Sequence, residues 1–150
     1  DGLDIIDKRD IMRIAGSAYE GTYIHKHKGY YYLFASVGSC CAGEKSTYQT
    51  VVGRSKSLYG PYVDKQGRKM LDNHHEVLLS GNDKVKGPGH DSQIITDDKG
   101  QDWMYYHGYD MSSIKAGRKM FLEQVRWVDG WPVLGEDGHP SVTAPAPFVK

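Results

Sequence analysis

The sequence predicts an all-β fold built from four-stranded antiparallel units of the kind that form propeller blades. Three observations lead there. Helix-period patterning is nearly absent. Short apolar and aromatic runs recur between clusters of Gly, Pro, Asn and Asp, the pattern of strands joined by turns. The pattern also repeats: residues 30–34 are answered by 103–107, and Glu20 by His90, a period of about 70 residues. Typical blades take about 40–50 residues, so long loops must absorb the excess, at 38–46 and 64–89. At this period 150 residues hold two blades and a lead-in. A propeller closes with at least about four blades. Either the chain is part of a propeller, or the repeat is coincidental and the fold is a β-sandwich.

In chain order, residues 1–19 form the lead-in. Ile5-Ile6 and Ile11-Met12-Arg13-Ile14 are apolar clusters around a charged turn, a strand or loop leading to Ala15-Gly16-Ser17. The first unit covers residues 20–80, with strands expected at 22–25, 30–37, 47–52 and 58–63. Residues 30–34, Tyr-Tyr-Tyr-Leu-Phe, are too apolar and aromatic for a solvated edge. Residues 76–79 form a brief apolar segment. Residues 81–89 read as a loop because Gly87-Pro88-Gly89 punctuates them. The second unit covers 88–135, with strands expected at 90–95, 103–107, 120–128 and 131–134, and 136–150 is a tail.

Composition narrows the function. With 19 basic and 19 acidic side chains the formal net charge is zero, so no electrostatic footprint for nucleic acid or an anionic membrane is present. No apolar run reaches the roughly 18 residues of a membrane helix. No secretory leader is visible, and Asp1-Gly2-Leu3-Asp4 reads as mid-chain sequence. Tyrosine dominates the aromatics, 11 against three Phe and three Trp. Its apolar face and polar tip suit sugar rings as well as half-buried strands. The two cysteines, Cys40 and Cys41, are adjacent and cannot staple distant segments; they form either a vicinal disulfide or two thiols.

Several side chains could carry chemistry. Glu20 sits at the mouth of an apolar strand, as a surface or capping acid or as a catalytic acid held in an apolar pocket. His74-His75-Glu76 lacks the His-Glu-x-x-His spacing and reads as a solvated loop. His25 and His27 flank a lysine-rich turn and are expected to be exposed. His107, Asp110 and Arg54 are expected to make structural hydrogen bonds. Ser36 and Ser39 have no Gly-x-Ser-x-Gly context.

These residues also carry a resemblance. Glu20-Gly21-Thr22-Tyr23-Ile24 with the 29–34 run, Cys40-Cys41-Ala42-Gly43 with Ser46-Thr47-Tyr48, Val52-Gly53-Arg54-Ser55, Gly60-Pro61-Tyr62, Gly87-Pro88-Gly89-His90, Tyr106-His107-Gly108-Tyr109-Asp110 and Gly130-Trp131-Pro132 stand in one order. That ordered set, covering most of residues 18–135, resembles glycoside hydrolase family 43 and its endo-α-1,5-L-arabinanase members. The resemblance implies the C-terminal part of a five-bladed β-propeller, its fourth and fifth blades. It implies inverting hydrolysis of arabinan, a secreted or periplasmic protein, and a polysaccharide or oligosaccharide as partner.

Inversion needs an acid on one face of the sugar and a base on the other, with the carboxyls about 6.5–9.5 Å apart. The acid must stay protonated near neutral pH, through an apolar wall or a neighbouring carboxylate. By the resemblance Glu20 is the general acid. The base Asp and the Asp that tunes the acid would lie upstream of Asp1. The chain alone would then lack a complete site, completed by an N-terminal segment or chain. A base within the chain would have to come from Asp91, Asp102 or Asp110. Tyr23 would line a sugar subsite. His90 would hold a calcium or sodium ion directly or through water, with Asp91 standing where asparagine is more usual. The competing readings are an α-L-arabinofuranosidase or β-xylosidase of the same family, and a non-catalytic carbohydrate-binding β module, whose binding would survive Glu20→Gln.

Overall fold

The computed structural model describes residues 11–150; Ile5-Ile6 lies outside them. Among the described residues nine strands form two antiparallel sheets. The first has β1 (Glu20–His27), β2 (Tyr30–Val37), β3 (Gln49–Ser55) and β4 (Glu76–Leu79), hydrogen-bonded in that order. The second has β5 (Val85–Gly89), β7 (Asp102–Asp110), β8 (Arg118–Val128) and β9 (Trp131–Val133), with the short β6 (Ile95–Thr96) also paired to β7. The first is a consecutive up-and-down meander, as in a propeller blade, and the second follows the same order with β6 set beside β7.

Burial explains why β2 reads as a continuous apolar run. Successive side chains of a strand point to opposite faces, and both faces of β2 are covered. Tyr32 and Phe34 face the second sheet, in a core with Val52, Leu79, Met104, Tyr106, Val125 and Trp131. Leu33 and Ala35 face away and pack with Val51, Tyr62 and Met70, against which Ile14, Ala15 and Tyr19 of the lead-in also lie. The strand is therefore apolar from Tyr30 to Ala35, with the buried Ser36 its polar side chain near the end.

Three strand expectations need correction. Residues 58–63 are not the fourth strand. They form a turn containing the Gly60–Pro61 bond, in which Val63 bridges to Arg54 of β3 and to Lys69, and Tyr62 packs on the sheet. The fourth strand is β4, the brief apolar segment. Residues 81–89 are not all loop, because 85–89 form β5, the first strand of the second blade. Of residues 90–95 only Ile95 enters a strand, within β6. Residues 11–14 carry no regular structure.

The misreading of β5 has a physical cause. Glycine and proline mark turns in most contexts, but here a neighbouring side chain takes the space a side chain would need. A Cβ on Gly89 would lie 2.3 Å from Cδ1 of Tyr48. Strand glycines often mark such close approaches. Tyr48, the residue before β3, lies against the β5 backbone and joins the two blades there.

Candidate active site

Glu20 opens β1 and pairs with Ser36 of β2; Ser36 in turn pairs with Thr50 of β3. The β1–β2 register is irregular between Glu20 and Tyr23. Gly21 accommodates that irregularity with φ +54°, and the His90 ring packs over it, about 3.0–3.2 Å from where a Cβ would stand. Only glycine offers both the left-handed backbone and the space. The backbone N–H of His90 donates to Ser36 Oγ at 2.7 Å. The acid and the histidine, 70 positions apart in sequence, are thus brought together over one serine.

Glu20 is exposed. The expected apolar wall is not present among the described residues, because the neighbouring aromatic rings turn inward. What holds Glu20 is Tyr48, 1 % exposed, whose hydroxyl donates to Glu20 Oε2 at 3.1 Å. Burial, together with the hydrogen bond to Glu20, raises the Tyr48 pKa, so the phenol remains a donor. Tyr23, expected to line a subsite, stacks on Phe34 at 4.9 Å with 6° between the rings. Its hydroxyl is buried without a hydrogen-bond partner among the described residues.

His107 and Arg118 complete the cluster. The His107 ring lies 5.7 Å from that of His90 and 6.2 Å from that of Tyr48, between centroids. Arg118 Nε donates to His107 Nδ1, and Nη1 donates to the Cys40 carbonyl. Nη2 donates to the carbonyls of Gly87 and His107, both at 2.7 Å. One guanidinium therefore ties together the Cys40 loop of the first blade, β5 and β7. Cys40 and Cys41 are joined in a vicinal disulfide within that loop. Desolvation, then the charges of Arg118 and His90, push the His107 pKa down to about 4.

No candidate base stands free. Asp91 is 6 % exposed, and neither carboxylate oxygen has a hydrogen-bond partner among the described residues. Burial pushes its pKa up to about 7. Asp102 accepts from Thr96 Oγ1 at 2.7 Å and from Trp127 Nε1 at 2.8 Å. Asp110 accepts from Ser112, Ser113 and Lys119, and these bonds hold its carboxyl below the usual range. The calcium or sodium ion implied by the resemblance has one expected protein donor, His90, binding directly or through water. No three His, Cys, Asp or Glu side chains converge among the described residues. Hard cations take about six to eight oxygen ligands (calcium) or an octahedral set (magnesium). The described residues supply no such shell by themselves, so water would have to fill the other positions around an ion at His90.

Other candidates resolve simply. Arg54 Nη1 donates to the Gly130 carbonyl at 2.8 Å, the expected backbone contact. His75 Nδ1 and Tyr19 Oη are 3.1 Å apart, and Glu76 accepts from the Lys65 N–H. His25 and His27 are not exposed as expected. Both stack on Trp127, His27 at 3.7 Å and 4°, because β1 turns that face toward the second blade. Sequence reasoning missed Ser36, Tyr48 and Arg118 as site residues. Tyr48 sits within a motif quoted above; Arg118 lies in a polar stretch, 115–119, that carries no signal of its own.

Comparison with known proteins bears on the whole cluster. The sequence profile described as "Glycosyl hydrolases family 43" matches residues 2–132. The chain is 40% identical over 117 residues to an extracellular endo-α-(1→5)-L-arabinanase of Bacillus subtilis (strain 168), covering 78% of this chain and 34% of that protein. It is 41% identical over 124 residues to an extracellular exo-α-(1→5)-L-arabinofuranosidase of Cellvibrio japonicus, covering 81% of this chain and 35% of that protein. Among solved structures it superimposes on a Cellvibrio cellulosa α-L-arabinanase complexed with arabinohexaose. The TM-score is 0.72 at 40% identity, over 78% of this chain and 36% of that one. The chain spans about a third of the length of these curated relatives.

Proposed function

The chain belongs to glycosyl hydrolase family 43, its two sheets being blades of that family's five-bladed β-propeller, and from this we propose that it is the acid-bearing, C-terminal part of an arabinan-cleaving glycosidase. The reaction is inverting cleavage of α-1,5-L-arabinofuranosyl linkages. Its relatives' names supply the substrate class, and Glu20 supplies the chemistry.

One observation carries the reading: Glu20 is an exposed carboxyl held by a buried phenol, Tyr48, at 3.1 Å. Tyr48 occupies Oε2, which leaves Oε1 to carry the proton. In the proposed step the Glu20 carboxylic acid gives that proton to the leaving glycosidic oxygen as the C–O bond breaks. A base on the opposite face takes a proton from the attacking water. Asp91 is buried, and Asp102 and Asp110 are engaged by other side chains. The proposal therefore assigns the base, and the Asp that tunes the acid, to residues outside these 150. Tyr23 supports the strand beneath the acid. His90 would hold a calcium or sodium ion through one ring nitrogen, with water completing the shell. The relatives' names also support export.

The test is Glu20→Gln in the protein that carries this chain, assayed on linear arabinan and on an aryl arabinoside. Loss of a general acid typically lowers the rate by about 10²–10⁴. The loss should be much smaller on the aryl substrate, whose phenolate leaves without a proton. Undiminished arabinan hydrolysis would exclude Glu20 as the acid. The Cellvibrio relative's name favours a second reading, exo action, and the early products separate the two: mixed oligomers for endo cleavage, one short product for exo.

A further inference from the structure

The hydrogen bond from Arg118 Nε to His107 Nδ1 decides the chemistry of that ring. An Nδ1 that accepts from a guanidinium cannot carry a proton of its own, so the imidazole is neutral and its one proton sits on Nε2. Arginine stays charged, so the roles cannot reverse. Nε2 makes no hydrogen bond to any described residue, and His107 is only half-buried. Its ring lies beside those of His90 and Tyr48, and Tyr48 holds the acid. A neutral, oriented N–H donor thus stands in the open part of the Glu20 cluster with nothing among the described residues to satisfy it.

We propose that His107 is a substrate-binding residue, its Nε2–H donating to an oxygen of the arabinofuranosyl unit at Glu20, and that Arg118 is the positioning residue that sets its tautomer. This rests on the arabinan reading. Arg118 is suited to the task because its other nitrogens are fixed on the carbonyls of Cys40, Gly87 and His107. It cannot swing away without breaking contacts to both blades. The sugar is recognised as an acceptor, through hydroxyl or ring oxygen, by a donor that brings no net charge to the acid.

The test uses the protein that carries this chain, with histidine labelled in ¹⁵N, and arabinotriose as probe. At neutral pH the His107 ring should show the Nε2–H tautomer, and arabinotriose should shift that nitrogen. Calorimetry should find arabinotriose binding about three- to tenfold weaker for His107→Leu and His107→Asn, the loss of one neutral hydrogen bond. His107→Gln, whose amide nitrogen reaches the Nε2 position, should retain more of the affinity than His107→Asn. Arg118→Gln should weaken binding to a similar extent and add little to His107→Leu in the double variant. Should Arg118→Gln fail to fold, the His107 variants and the wild-type spectrum decide alone. A ring observed as the Nδ1–H tautomer or as imidazolium overturns the inference. So does wild-type affinity in His107→Leu, which would leave the arabinan reading standing. A wild-type protein that binds no arabino-oligosaccharide brings down both.

Discussion

Tyr48 Oη donates to Glu20 Oε2 at 3.1 Å while the same ring packs against Gly89 in the neighbouring blade. The acid is therefore tied to the joint between the two blades and not only to its own strand. Removing the hydroxyl while keeping the ring separates these roles. Tyr48→Phe should fold with little loss of stability and lower kcat on arabinan about tenfold, the scale of one hydrogen bond to an ionisable group. An unchanged kcat would mean that Tyr48 does not orient the acid.

The packing half of that relationship is tested at Gly89. An alanine there places its Cβ 2.3 Å from Cδ1 and 2.6 Å from Cε1 of Tyr48. The ring is fully buried and has no free end to yield. Overpacking of this kind costs about 1–3 kcal/mol, a fall in Tm of several degrees for a chain of this size. Because Tyr48 must move, kcat should fall as well. A thermal unfolding curve unchanged from wild type would refute the close approach.

A second joint lies on the other side of the interface. The Arg54 guanidinium is sandwiched between Tyr30, at 4.6 Å, and Trp131, at 4.4 Å. It donates to the Gly130 carbonyl, which also accepts from Tyr32 Oη at 2.5 Å. A lysine keeps the charge but not the planar stacking surface. Arg54→Lys should cost about 1–2 kcal/mol, the range of a partly desolvated cation–π pair. A double-mutant cycle with Trp131→Leu should show coupling. Strict additivity would assign the loss to Arg54's other contacts.

Asp64 gives the fold a pH-dependent contribution. Its buried carboxylate accepts the N–H groups of Gln66 and Arg68 at 2.9 and 2.8 Å and the Arg68 Nε at 2.6 Å. Burial alone would raise its pKa, but these donors outweigh burial and hold it below the ordinary 3.8. A depressed acid stabilises the folded state above its unfolded pKa, and that contribution is lost as pH falls through the folded value. Asp64→Asn should be destabilised by about 1–3 kcal/mol at neutral pH. The gap to wild type should close below the ordinary carboxylate range. A constant gap from pH 7 to pH 2 would show that the charge is not the source.

Much of this was legible in the sequence. Apolar runs with turn residues between them marked β1, β2, β3, β7, β8 and β9, because a strand needs only local alternation or a two-sided core to reveal itself. The ordered motifs identified the family and singled out Glu20 and His90. The fourth strand of the first blade and the first of the second were misplaced. Residues 58–63 look like a strand but are held as a turn by Tyr62, whose buried ring packs with Leu33, Val51 and Met70. Residues 85–89 look like a loop because Gly87 and Gly89 stand where Ser46 and Tyr48 occupy the space a side chain would fill.

What the sequence determined by itself was the class of the fold and the chemical type of each candidate, because periodicity, turn residues and titratable groups are properties of short stretches. The tertiary structure decided which of them act together. Glu20, Tyr48, His90, His107 and Arg118 come from different strands and loops of two blades, and nothing in the local pattern of any one points to the others. Ser36 meets His90, Tyr48 meets Glu20, and Arg118 meets His107 only because two sheets pack through a shared core. That packing depends on contacts between residues far apart in the chain.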